Sequence, residues 1–340
     1  MLKQTRIHVT RLKLTAAVLG LGLTASGALA GAFKPTDVPA DAKWVVHLDV
    51  DAARKSSIAQ TIQDRLMQRD DVKQGVSDIE TLTGVQVPDD VSDVTLYGSE
   101  FGEKNNIVLM SGKFDRRRIL GVVSLSPQYT STKHGAHEVV SWEDKGQINY
   151  GGFHGERRLI IARSKENVVH ALDVLDQKVE TLKGVSDFGI DAKDAMVSPA
   201  SAMLYVGGMN LGDLPGVADA SPLFQQAKSA VVLLGEEGGQ AYMKGLVKAV
   251  DADKAEQMAR AAEGLRSLVQ LGASQREADR SAKLTNELLQ TLKIDRVDEA
   301  VVLDWKAPAQ TVMDLLEEGL LKQQVNADGA GVKPRQAPAN

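Results

Sequence analysis

His47, Asp49 and Asp51 alternate along the stretch "WVVHLDVDAARKS", from Trp44 to Ser56. Alternate side chains of a strand leave the same face, so an imidazole and two carboxylates are presented together. These are donors for a divalent metal, or the parts of an acid/base pair. Next-nearest side chains stand about 7 Å apart on a straight strand, and three ligands spread that widely converge on one ion only if the strand bends. The competing reading is a wet sheet face. Trp44, Val46, Leu48 and Val50 then form the apolar side, with Val45, His47, Asp49 and Asp51 opposite. In a sheet covered by helices on one side the other side meets water, so polar residues there need no function. The wet face is the preferred reading, with Asp51 serving as a cap or turn residue into the next helix.

His134 and His137, in "KHGAH", are a second metal candidate. Imidazoles three apart share an ion on a helix, but Gly135 between them favours a loop or strand end. His154 and His170 stand alone and read as polar surface or satisfied core. Arg116–Arg118 and Arg157–Arg158 offer cations to an envelope polymer or to lipid headgroups. Arg116–Arg118 open a helix, where the macrodipole disfavours positive charge, and solvated arginines lying over apolar neighbours are the simpler account. "GSEFGEK" from Gly98 has spaced glycines without the helix that would make an anion site. "GEEGG" from Gly235 is hairpin chemistry in which Glu236 and Glu237 could bind a cation weakly. The chain carries no G-x-S-x-G elbow, phosphate-binding loop, H-E-x-x-H or EF-hand pattern, and no cofactor is indicated.

The elements that must position these groups begin after an export signal. Lys3, Arg6, Arg11 and Lys13 precede the uncharged run from Leu14 to Phe33. Ala28 and Ala30 give the A-x-A spacing for cleavage after Ala30, with Ala30 and Ala32 as a second register. An uncleaved anchor is the alternative, since those 20 residues are long enough to span a bilayer; membrane contact is expected only in that case. The chain has no cysteine, which removes disulfides, thiolate nucleophiles and Cys-ligated zinc. Loss of residues 1–30 leaves 36 basic against 45 acidic residues, a net charge of −9. Nucleic acid is therefore not an expected partner, and aromatics at 4% argue against a stacking platform for sugars or bases.

The expected organisation is a signal peptide at 1–30, a Pro-punctuated leader at 31–42, a first α+β unit at 43–185, a linker at 186–200, a second α+β unit at 201–321 and a disordered tail at 322–340. In the first unit Trp44–Val50 reads as a strand, Ser57–Arg69 as a helix, and "VSDVTLYGS" and "NNIVLMSGKF" as a strand pair. Asp115 then caps a helix, three meander strands follow, and Ser164 caps "KENVVHALDVLDQ". The second unit repeats much of this order: a strand at "SAMLYVGGM", a short helix near "PLFQQAK", a hairpin turning at Glu236–Gly239, a long helix capped by Asp251, a strand at Val297–Trp305 and a last helix after Pro308. The expected fold class is α+β, with mixed or antiparallel sheets, helices mainly on one face, and an order compatible with two degenerate split βαβ, ferredoxin-like units.

The segments "LTGVQVPDDVSDVTLYG", "MSGKFDRRRI", "RRLIIARSKENVVHALDVLDQ" and "MNLGDLPGVADASPLFQQAK" give the chain a pattern that resembles uncharacterised secreted proteins of the planctomycete-like type. The resemblance spans most of Lys43 to Glu318; it implies an exported location and this architecture, and carries no catalytic residues. The function expected is that of an exported, periplasmic or secreted, non-catalytic binding or cell-envelope-associated protein, with an envelope polymer or another protein as partner. Two alternatives stand beside it: a metal-assisted hydrolase using His47, Asp49 and Asp51, and a periplasmic carrier holding an apolar ligand between sheet and helices.

Overall fold

The computed structural model describes residues 31–100, 105–144, 146–185, 188, 202–211, 224–276 and 279–318. The expected signal peptide, all but one residue of the linker and the expected tail lie outside the described residues, as does most of "MNLGDLPGVADASPLFQQAK".

Strand β1 (Trp44–Asp49) is followed by helices α1 (Val50–Ala53), α2 (Ser57–Leu66) and α3 (Asp70–Thr83). The hairpin β2 (Val91–Gly98) and β3 (Ile107–Gly112) leads to α4 (Arg116–Val123). Four meander strands, β4 (Thr130–His134), β5 (His137–Asp144), β6 (Gln147–His154) and β7 (Arg158–Ala162), end at α5 (Lys165–Leu175). The second half holds β8 (Leu204–Met209), β9 (Ala227–Glu237), β10 (Gln240–Ala249), α6 (Ala252–Ser274), α7 (Arg280–Gln290), β11 (Lys293–Val297) and β12 (Ala300–Pro308), with residues 309–318 helical.

All twelve strands form one sheet, in the order β11-β12-β10-β9-β8-β1-β2-β3-β7-β6-β5-β4. Every pairing is antiparallel, so the fold is α+β. The two halves meet where β1 runs antiparallel to β8, with Val46 opposite Val206. Outward from that seam the first half reads β1-β2-β3-β7-β6 and the second β8-β9-β10-β12-β11, an equivalent order of pairing on the two sides. The first half adds the hairpin strands β5 and β4 at its edge. One feature departs from the expected order: in a split βαβ unit another strand enters between the strands that the helix connects, whereas β1 pairs directly with β2. The helices α1–α3 therefore bridge antiparallel neighbours instead of crossing over.

Local chemistry explains the helix starts. Asp115 accepts from the Arg118 amide at 3.0 Å and Asp251 from the Lys254 amide at 2.7 Å, while Ser164 accepts from the Asn167 amide at 3.1 Å. Each satisfies an amide that the first turn leaves unpaired. Asp115→Ala or Asp251→Ala should cost about 0.5–2 kcal/mol in denaturant unfolding, and Asn at either position should restore most of it. Loss of stability in the Asn variants equal to that in the Ala variants would refute capping. The β9–β10 turn places Gly238 and Gly239 at φ +59° and +75°, the left-handed pair that a tight hairpin requires.

The main core lies on the sheet face that carries Val45, Tyr97, Leu109 and Ile160 from the first half and Tyr205, Val231 and Leu233 from the second, covered by α5 through Val168 and Leu172. The leader is part of this core. Phe33, Val38 and Ala42 are buried in it, and Leu182 donates its amide to the Val38 carbonyl at 2.9 Å. On the opposite face, α4 packs with Phe153 and Leu159, and α6 packs through Ala255 and Met258 against Val301 and Leu303.

Candidate functional site

The opening triad sits differently from the wet-face reading. Along β1 the buried positions are Val45, His47 and Asp49, while Leu48 on the other side is 37% exposed. The leader explains the inversion: Phe33 stacks on Tyr205 with ring centroids 4.4 Å apart and lies 5.3 Å from the His47 ring. A polar row is thus sealed under residues that sequence periodicity assigns to a connecting segment.

Each polar group in this row has an internal partner. His47 Nε2 donates to the Gly31 carbonyl at 2.9 Å, which leaves Nδ1 to accept from the Thr95 hydroxyl at 2.8 Å. Burial pushes the imidazole down to about 4, so it is neutral at physiological pH. Asp49 accepts from the Ala52 amide at 2.8 Å and caps α1. Asp51 lies beyond the strand, on α1, and pairs with Arg54. Asp93, opposite Asp49 on β2, is buried, and desolvation raises it to about 6 against the bond from Ser111. His47, Asp49 and Asp51 do not gather their ligand atoms around one point, because the strand ends at Asp49 and the chain turns into the helix.

Arg116, Arg118 and Arg158 also find partners within the chain. Arg118 donates from Nε to the Leu82 carbonyl at 3.1 Å and from Nη2 to that of Thr81 at 2.6 Å, closing the C-terminus of α3 beside Gly84 at φ +76°. Arg116 pairs with Glu138 at 3.3 Å and lies 5.7 Å over the Phe153 ring. Arg158 pairs with Asp37 of the leader at 2.9 Å. Glu236 accepts from the hydroxyls of Ser56 and Ser57, both at 2.7 Å, and from the Ile58 amide at 3.1 Å. It holds the N-terminus of α2 to the second half of the sheet.

A cavity of about 290 Å³ opens on the face opposite the main core, between the sheet and helices α3 and α4. Met110, Trp142, Leu159 and Ile161 form its floor, and Ile119 and Val123 of α4 form a wall. Val140 and Phe153 are buried in it, while Ile79 and Val87 at its mouth are 46% and 40% exposed. Its surface is almost wholly apolar. Helix α3, which carries Ile79 and Thr83 onto the cavity, buries none of its residues, the mark of an element with low local stability. Helix α3 escapes the sequence analysis, although Asp70 and Asp71 at its start and Gly84 after its end are boundary signals.

The histidines that sequence spacing treats separately are brought together. His134 and His137 face each other across the β4–β5 hairpin. The β5–β6 register, extended two residues beyond Val139↔Gly152, sets His137 opposite His154. Both rings reach the end of α5: Asp176 accepts from His137 Nε2 at 3.0 Å and from His154 Nε2 at 3.2 Å, while His134 reaches Asp173 at 2.9 Å. Lys178 joins Asp173 and Asp176 at 3.1 and 2.9 Å, and Lys178 together with His137 holds Asp176 down at about 2.

No family model and no curated protein matches the chain. Among solved structures it is similar to TP0453 in crystal form III, at 11% identity and a TM-score of 0.45, covering 84% of this chain and 98% of that one. Crystal form IV of TP0453 gives 11% identity and a TM-score of 0.44, and crystal form I gives 10% and 0.42; each covers 85% of this chain and 98% of that one. No residue role is carried over from them. Among the described residues no helix is long and apolar enough to cross a membrane.

Proposed function

We propose that the protein is an exported, non-catalytic binding protein of the cell envelope that holds a small apolar ligand, such as a single acyl chain, between the sheet and helices α3 and α4. The observation that carries this reading is the cavity of about 290 Å³ with an almost wholly apolar lining, just under the roughly 300–1,000 Å³ common for ligand pockets and so suited to a small ligand. The exposed Ile79 and Val87 at its mouth and the weakly buried α3 above it supply an access route that needs no opening of the main core. A buried apolar surface without convergent polar groups favours binding by the hydrophobic effect over turnover.

Trp142 reports on this cavity, since Trp44 and Trp305 are not among its lining residues. Titration with a bromine-labelled fatty acid should quench Trp142 fluorescence with saturation, and Trp142→Phe should abolish the quenching component. Ile161→Phe, which fills part of the floor, should weaken binding by roughly tenfold, equivalent to about 1.4 kcal/mol. Quenching that is absent, or unaltered by both substitutions, would refute the cavity as the binding site.

A further inference from the structure

We infer that His137, His154 and Asp176 form a binding site for Zn²⁺ or a similar divalent first-row metal ion, tying the ends of β5 and β6 to the end of α5. Among the described residues this is the one group of three His, Asp or Glu side chains whose ligand atoms all lie within 4.8 Å of one another. Both imidazoles present Nε2 to the same carboxylate oxygen, Oδ1, at 3.0 and 3.2 Å. A tetrahedral zinc with bonds of about 2.0–2.1 Å to nitrogen and oxygen separates its ligands by about 3.3–3.4 Å. The two N···O edges are therefore already near the length that the ion imposes.

The surroundings suit a cation. Asp176 ends α5, where the partial negative charge of the helix terminus points. Its second oxygen, Oδ2, accepts from Lys178 Nζ at 2.9 Å and also lies 3.1 Å from His137 Nε2, so the ammonium orients a carboxylate that faces both imidazoles. Asp173 stands alongside, bonded to His134 and Lys178. The two carboxylates against one ammonium give a net negative charge when the imidazoles are neutral. The His137 side chain is 12% exposed and that of His154 27% exposed, enough for an ion and one or two waters to complete the shell. Two imidazoles and one carboxylate in a chain without cysteine are borderline donors, suited to zinc and poorly suited to calcium, which takes oxygen ligands only.

The test is calorimetric titration of tag-free, chelator-treated full-length protein with ZnCl₂ at pH 7.5. One equivalent of zinc should bind and raise the unfolding temperature, and the same concentration of CaCl₂ should neither bind nor compete. His137→Gln, His154→Gln and Asp176→Asn should each lose the stoichiometric binding, while His170→Gln should keep it. Imidazole nitrogen resonances of the unsubstituted protein give a readout that needs no variant to fold: zinc should shift those of two histidines and leave His47 and His170 unmoved. Absence of stoichiometric uptake would overturn the site. So would uptake that persists in both histidine variants, or a zinc-bound spectrum in which no pair of imidazoles shifts.

Discussion

Phe33→Ala lowers the free energy of unfolding by about 3–5 kcal/mol, the range for removing a buried phenylalanine, although it lies in a segment that the sequence presents as a leader. Phe33 is 5% exposed and stacked on Tyr205 at 4.4 Å, and its ring closes the space above His47. Alanine there leaves a void over Tyr205 and lets water reach the imidazole, so His47 should also titrate closer to its ordinary value. Urea unfolding at neutral pH checks the first effect and histidine NMR titration the second. A change in stability below about 0.5 kcal/mol, the usual size for a surface substitution, would show that the leader is not part of the core. A chain that begins at Gly31 keeps the carbonyl that accepts the His47 proton; one that begins at Phe33 lacks it.

The second large effect is a pair of opposed pH dependences. An unfolded histidine takes up its proton below about 6.5, whereas folded His47 does so only near 4. Between those values the unfolded chain holds more protons, so this group's contribution to stability is lost as pH falls from 6.5 to 4. Asp93 acts in reverse. Its ordinary value is 3.8 and its folded value about 6, so the folded chain holds the extra proton in that window and stability is lost as pH rises through it. Asp49, also raised by burial, adds to the second slope. Each of the two large shifts is worth about 3 kcal/mol at 1.36 kcal/mol per unit, and between pH 4 and 6 they offset one another.

Single substitutions expose each slope. His47→Gln should leave a protein that loses stability as pH rises from 4 to 6. Asp93→Asn should leave one that gains stability over that range, and at pH 7 it should exceed the unsubstituted protein because no buried carboxylate has to ionise. Urea midpoints at four pH values between 4 and 7 decide this; parallel curves for the two variants would refute it.

What the sequence made legible was local. Asp115, Ser164 and Asp251 are caps because a short acceptor at the right offset is enough, and the Gly238-Gly239 turn follows from backbone conformation alone. The α+β class follows from alternating and helical periods. The face of β1 could not be read, because its burial depends on Phe33 and Val38, which no period connects to the strand. The histidine cluster was hidden for a related reason: His137 and His154 become neighbours through a hairpin register, and Asp176 joins them only when α5 folds back over the meander. Charge at Arg118 was visible, but its partners, the carbonyls of Thr81 and Leu82, belong to a helix whose apolar stripe of Val72, Val76 and Ile79 is interrupted by Gly75.

The seam between β1 and β8 sets an order on assembly. Strand β1 pairs with β2 through nearby chain, but its other edge waits for β8, which brings Gly208 opposite Trp44 only after the whole first half has been made. Until then the emerging first half carries an open row of amides and carbonyls at what will become the middle of the sheet, bordered by the apolar Val46 and Leu48. An unpaired edge of that kind templates pairing with another chain, and long-range strand pairing closes slowly. A chain truncated after α5 therefore leaves the β1 edge, which is central in the finished sheet, open to pairing with another strand.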